Sequence, residues 1–154
     1  ITRDRFVIIT TQEPFFEPVR DLVLEIFKIL KETPVSSFGI NHSKYFDLRD
    51  KERHFQFGNK LAPLNNWSDN LNDPRLQTLE ILETKRKDGK NGMYRIRIQP
   101  PDIKLSTNFG VLINFNDHLD IPKGDFVKLF SENWKPSFSR ANEITELIWE
   151  KQKN

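Results

Sequence analysis

The sequence has no cysteine. That absence removes disulfides, thiolate-bound metals and cysteine nucleophiles together. Long apolar runs are missing too; none approaches the ~20 residues that a membrane-spanning helix requires. No membrane partner is expected, and the cytoplasm is the expected location. Charge of one sign is also scarce, since 24 Lys and Arg stand against 22 Asp and Glu. A chain so balanced has no broad field with which to hold a polyanion, so any nucleic-acid contact must come from a local patch. There is no Gly-rich phosphate loop, nucleophile elbow or HExxH pair. No cofactor is expected, and catalysis is a weaker reading than binding.

What is present suits a packed fold. The 154 residues include 13 Phe and 3 Trp, which concentrate apolar volume in aromatic rings despite a mean hydropathy of −0.62. That length fits one domain over residues 1–154. The chain opens on Ile1, not Met, which leaves room for a further segment before it.

The pattern of elements reads as α+β. "RFVIITTQ" (residues 5–12) is β-branched and flanked by charge, a strand signal. Residues 15–32 then show apolar side chains at three- and four-residue steps: Val19, Leu22, Val23, Ile26, Phe27 and Leu30. Pro18 fits the first turn of that helix and Pro34 ends it. In "SSFGINHSKYFDL", period two sets Phe38, Ile40, His42, Lys44 and Phe46 against Ser37, Gly39, Asn41, Ser43 and Tyr45. Asp50 is placed to cap a short helix through "KERHFQF", with Gly58 as its stop. The Asn- and Asp-rich stretch that follows is expected to be pinned by Leu61, Leu64, Trp67 and Leu71.

Two strands, "RLQTLEILETKR" and "MYRIRIQPP", flank "KDGKNG", whose Asp-Gly and Asn-Gly pairs signal a hairpin. Tyr94, Ile96 and Ile98 face one way, and Arg95, Arg97 and Gln99 the other. In "GVLINFNDHLDIP", Val111, Ile113 and Phe115 oppose Leu112, Asn114, Asn116 and His118. The C-terminal thirty residues read as a helix that Pro136 kinks or divides; Phe126, Phe130, Trp134, Phe138 and Trp149 are its packing side chains. The expected architecture is an antiparallel sheet of about five strands, with the N-terminal helix and the long kinked C-terminal helix on one face.

That architecture leaves a hydrophilic sheet face. Asn41, Tyr45, Arg95, Arg97, Asn114, Asn116 and His118 are its candidate ligand- or partner-binding residues, because guanidinium forks and carboxamides offer directional donors and acceptors. Asn is a poor strand former, so its repetition here asks for a reason. The alternative is a plainly solvated face. Asp117 and His118 point to opposite faces and cannot easily share an ion, so no metal site is expected. Lys85, Arg86, Lys87 and Lys90 form a basic hairpin tip that could reach a phosphate backbone.

Several patches taken together, "RDRF", "QEP" with "RDLV", "GIN", "LAP" followed by "W", and "NDH", resemble a group of short prokaryotic proteins of uncharacterised activity. The resemblance spans most of the chain and implies a small stand-alone prokaryotic protein, with no cofactor or catalytic role to carry over. The leading expectation is a non-catalytic module that meets another protein or a second copy through its sheet face or edge. A small anionic-ligand site or enzyme on the same face is the alternative, and nucleic-acid binding through residues 85–90 is the third.

Overall fold

A computed structural model describes residues 4–101, 109–121 and 125–153. The fold is α+β: α1 (Phe16–Ile29), β1 (Ser37–Asp47), α2 (Lys51–Leu61), β2 (Leu79–Glu83), β3 (Gly92–Gln99), β4 (Gly110–Asp120) and α3 (Phe126–Lys153). The strands form one antiparallel sheet in the order β1-β4-β3-β2. No described helix is long and apolar enough to cross a membrane.

β4 organises the rest. It pairs along its whole length with β1, from Ser37 opposite Asp120 to Asp47 opposite Gly110, and on its other side with β3. Its alternation sends Val111, Ile113, Phe115 and Leu119 into the core. α3 covers that inner face. Phe126, Phe130, Trp134 and Phe138 recur every fourth residue, so their rings stack along one side of the helix at 5.1–5.6 Å. They meet Phe16 and Phe27 of α1 and Phe38 of β1, while Trp149 closes the far end against Phe46 and Phe57. Contacts of Phe16 with Phe138 and of Phe27 with Phe126 set α1 antiparallel to α3.

Several details depart from the sequence expectation. Four strands form the sheet, because residues 6–12 make no ladder although their burial alternates. α1 turns slightly from its expected face: Phe16 and Leu24 join Val23 and Phe27 in the core, while Leu22 and Leu30 are exposed. Asp50 caps α2 as expected, accepting from the Arg53 N–H at 2.8 Å, but the helix continues past Gly58. Gly58 instead permits close approach to Leu76, whose Cβ would lie 3.2 Å from an added methyl. Leu64 is buried in the following loop, but Trp67 and Leu71 are 57% and 51% exposed and pin nothing. α3 runs undivided through Pro136. Glu132, whose carbonyl loses its ladder donor there, is exposed, so water can take that bond.

The β2–β3 connection uses both of its glycines. Gly89 turns at φ +71° in open space, whereas Gly92 sits at φ +125° with the His118 carbonyl oxygen 2.2 Å from where a Cβ would be. Gly92→Ala is therefore expected to cost about 3 kcal/mol or more in a urea titration, from strain and from pushing β3 off β4. Gly89→Ala should cost about 1 kcal/mol, from backbone strain alone. Equal losses would contradict this difference.

Candidate interaction surface

The face opposite α3 collects the polar half of every strand. Ladder register puts Asn41, Asn116, Arg95 and Leu82 in one row across all four strands, and Ser43, Asn114, Arg97 and Glu80 in the next. Gly39, His118 and Met93 flank these rows on one side; Tyr45, Leu112 and Gln99 flank them on the other. All seven candidate residues thus share one surface, since side chains two apart on a strand point the same way and paired residues lie side by side. The helical packing contacts fall on the inner face, leaving these rows uncovered by any described helix.

Cross-strand bonds knit the rows together. Asn116 donates to the Asn41 side chain at 2.6 Å, and the Ser43 hydroxyl donates to Asn114 at 2.7 Å. A carboxamide has two donor hydrogens and two acceptor lone pairs, so each Asn keeps bonding capacity after this lateral contact. Arg97 is held by Glu80 through Nε at 2.7 Å and Nη2 at 2.5 Å. Arg95 Nε lies 3.7 Å from the other Glu80 oxygen, too far for a hydrogen bond, and is buried without a hydrogen-bond partner. Two guanidinium groups therefore share one carboxylate. His118 contacts Asp120 at 3.2 Å.

Glu80 joins the seven candidate residues on this face. The alternation of "LEILE" was signal enough, because it puts Glu80 and Leu82 on the face shared by Arg95 and Arg97. A half-open cavity of about 30 Å³ lies elsewhere, between α2 and the ends of β3 and β4, and would hold a water or two.

The inner face holds a second polar set that is structural. Asp117 projects from β4 beneath α3, on the opposite side from His118 as alternation requires. Arg86 reaches it from the hairpin at 2.5 Å, and both side chains are almost fully buried, at 1% and 4% exposure. Arg86 also grips Asp88 through two nitrogens, at 2.9 and 2.6 Å, and donates to the carbonyls of Met93 and His118. Its bonds to Asp88 raise the guanidinium pKa further, and the same pairing holds the Asp88 carboxyl down at about 2. Lys90 donates to Asn133 of α3. Of the four basic hairpin residues proposed for nucleic acid, Arg86 is thus buried and Lys90 is engaged. Lys85 and Lys87 remain exposed.

Nearby, the Tyr94 hydroxyl is buried without a hydrogen-bond partner, its ring under the Arg140 guanidinium at 4.1 Å. Burial raises its pKa. On β1, His42 contacts the Ser137 hydroxyl at 3.0 Å, and burial lowers its pKa to about 4 against a partial opposing pull from Asp117. Ser137 is itself 1% exposed, so this pair packs the helix to the sheet and has no access to a substrate.

No family model matches the chain, and neither a curated protein nor a solved structure matches it.

Three outcomes are expected. Arg86→Met should leave the Asp117 charge buried and uncompensated, costing about 3–5 kcal/mol in denaturant unfolding. Lys85→Ala with Lys87→Ala should change stability by less than about 0.5 kcal/mol. For His42, the unfolded chain takes up the proton first, at pH near 6.5, and the folded chain only near 4. Stability is then full above pH 6.5 and falls as pH drops toward 4, by about 3 kcal/mol in all. His42→Gln should flatten that part of the stability–pH curve; an unchanged slope would show that other groups cause it.

Proposed function

We propose that this chain is a non-catalytic interaction module of the cytoplasm that docks another protein, or a second copy of itself, on its open sheet face. One observation carries the reading: two aligned rows, of Asn, Ser, Arg and Glu with Leu82 at the end of one, cross the sheet on the side its described helices leave bare. Asparagine at the centre of a sheet is costly on propensity, by up to about 1 kcal/mol per position. A surface that must offer fixed donors and acceptors accounts for that cost.

The chemistry of the rows narrows the partner. A face with residual amide capacity and arginines set beside carboxylates suits a polar protein surface that offers both donors and acceptors. A small anion is less well served. Glu80 already occupies Arg97, so an incoming carboxylate would have to displace an existing ion pair. The cavity beside α2 is lined by none of the row residues, and small-ligand sites are concave. Nucleic acid is served less well again, because Arg86 is buried in the fold and Lys90 is bonded to Asn133.

The test is Arg95→Ala combined with Arg97→Ala, compared with the parent by sedimentation equilibrium and by retention of partners on the immobilised chain. The parent should show either a mass above the 18.3 kDa monomer or one partner retained in stoichiometric amount. The double variant should weaken that association by roughly tenfold or more, about 1.4 kcal/mol or more, while its melting temperature stays within a few degrees. A parent that stays monomeric and retains nothing the variant loses would contradict the proposal.

A further inference from the structure

β1 is the long edge of the sheet, eleven residues with neither proline nor a break in register. Natural sheets seldom leave such an edge bare, because its unpaired backbone groups can template pairing with another strand. Which groups those are follows from the bonds at its two ends. Ile121 N–H donates to the Ser36 carbonyl at 2.7 Å and Leu48 N–H donates to the Phe109 carbonyl at 3.1 Å. Even-numbered residues of β1 therefore bond toward β4, and Gly39, Asn41 and Ser43 turn their N–H and C=O groups toward the open side. Among the described residues, none of these three has a backbone partner there.

Among the described residues, one strand-like segment joins no ladder. Residues 6–11 alternate: Phe6, Ile8 and Thr10 are partly buried, while Val7, Ile9 and Thr11 are exposed, Ile9 at 81%. Phe6 and Ile8 pack on the cluster that includes Phe38 and Ile40 of β1 and Val23 and Phe27 of α1. This is the burial pattern of a strand that has one face on a core.

Chirality says where such a strand would go. The inward-facing residues of β1 bond toward β4. For L-residues, a viewer on the helix side with β1 running upward therefore sees β4 on the right and the open edge on the left. A strand rising on that left side, followed by α1 descending in front and then by β1, is a right-handed crossover. That is the hand which nearly all parallel β-α-β connections take. In strands running the same way, inward-facing residues bond to the same side, so Phe6, Ile8 and Thr10 would direct their backbone groups at β1.

We propose that residues 6–11 are a strap that closes onto the open edge of β1 as a fifth, parallel strand, its inward residues bonding to Gly39, Asn41 and Ser43. The occupant of the edge is thus this chain's own segment. With the strap closed, association is confined to the polar face; with it open, the edge can take an extended segment from elsewhere. The inference stands whatever the face binds.

Amide hydrogen exchange on the full chain, read residue by residue by NMR, tests it. A closing strap slows exchange at Asn41 and Ser43 by roughly tenfold or more relative to an unprotected peptide, equally at all protein concentrations. Thr10→Pro removes an N–H aimed at β1 and should return both amides to the unprotected rate. Ile9→Pro, whose N–H points away, should leave them slow. Unprotected amides in the parent chain overturn the proposal. So does protection that grows with concentration, which would put a second copy on the edge, and so do two proline variants that behave alike.

Discussion

The buried Arg86–Asp117 pair is the interaction on which the arrangement of the sheet depends. Alternation along β4 gives Asp117 no choice but to lie under α3, among Val111, Ile113, Phe115 and Leu119. A lone carboxylate there would cost several kcal/mol. Arg86 offsets that cost from the hairpin, and in the same act binds Asp88 and the carbonyls of Met93 and His118. One guanidinium therefore ties the hairpin, the start of β3 and the end of β4 together. With the register of β3 on β4 fixed at that corner, Arg95 falls beside Asn116 and Arg97 beside Asn114. A slip of one residue would send both arginines inward. The open face inherits its order from a charge pair on the other side of the sheet.

The two faces divide the chemistry between them. The inner face is aromatic and aliphatic, stitched by a few polar pairs that are each closed on a partner: Arg86 with Asp117, His42 with Ser137, Arg140 with Glu83. The outer face uses polar groups in bulk, joined laterally but not exhausted. Cross-strand hydrogen bonds of this kind return a few tenths of a kcal/mol each. They stiffen the rows without using every donor, which is the state a docking surface needs before it meets a partner.

Much of this was legible in the sequence, and the reason is periodicity. Two-residue alternation in β1, β3 and β4 sorted Asn41, Asn114, Asn116, His118, Arg95 and Arg97 onto one side before any coordinates, and the i, i+4 aromatics of α3 announced a buried helix face. What escaped notice was pairing at a distance. Nothing local to Lys85, Arg86 and Lys87 distinguishes the one arginine that turns inward, because its partner lies thirty-one residues away. Alternation puts Glu80 on the arginine face, but its pairing with Arg97 depends on β2 lying beside β3. Gly58 looked like a helix stop because a glycine near a helix end usually is one; here a close contact with Leu76 decides instead. Residues 6–12 show the limit from the other side, since strand propensity and alternation are both present and the ladder is not.

The central claim is that the row residues stand open while their neighbours one position along are sealed. A chain without cysteine makes this directly measurable, because a single introduced thiol is the only one present. Thiol-labelling rates would be taken for Asn41→Cys, Arg97→Cys, Phe115→Cys and Ser137→Cys, each in the folded chain. Thiols at 41 and 97 should react at close to the rate of a free thiol, and those at 115 and 137 only as fast as the chain unfolds. If the thiols at 41 and 97 of the dilute monomer proved as protected as those at 115 and 137, the face would be covered within the fold and the account would fail.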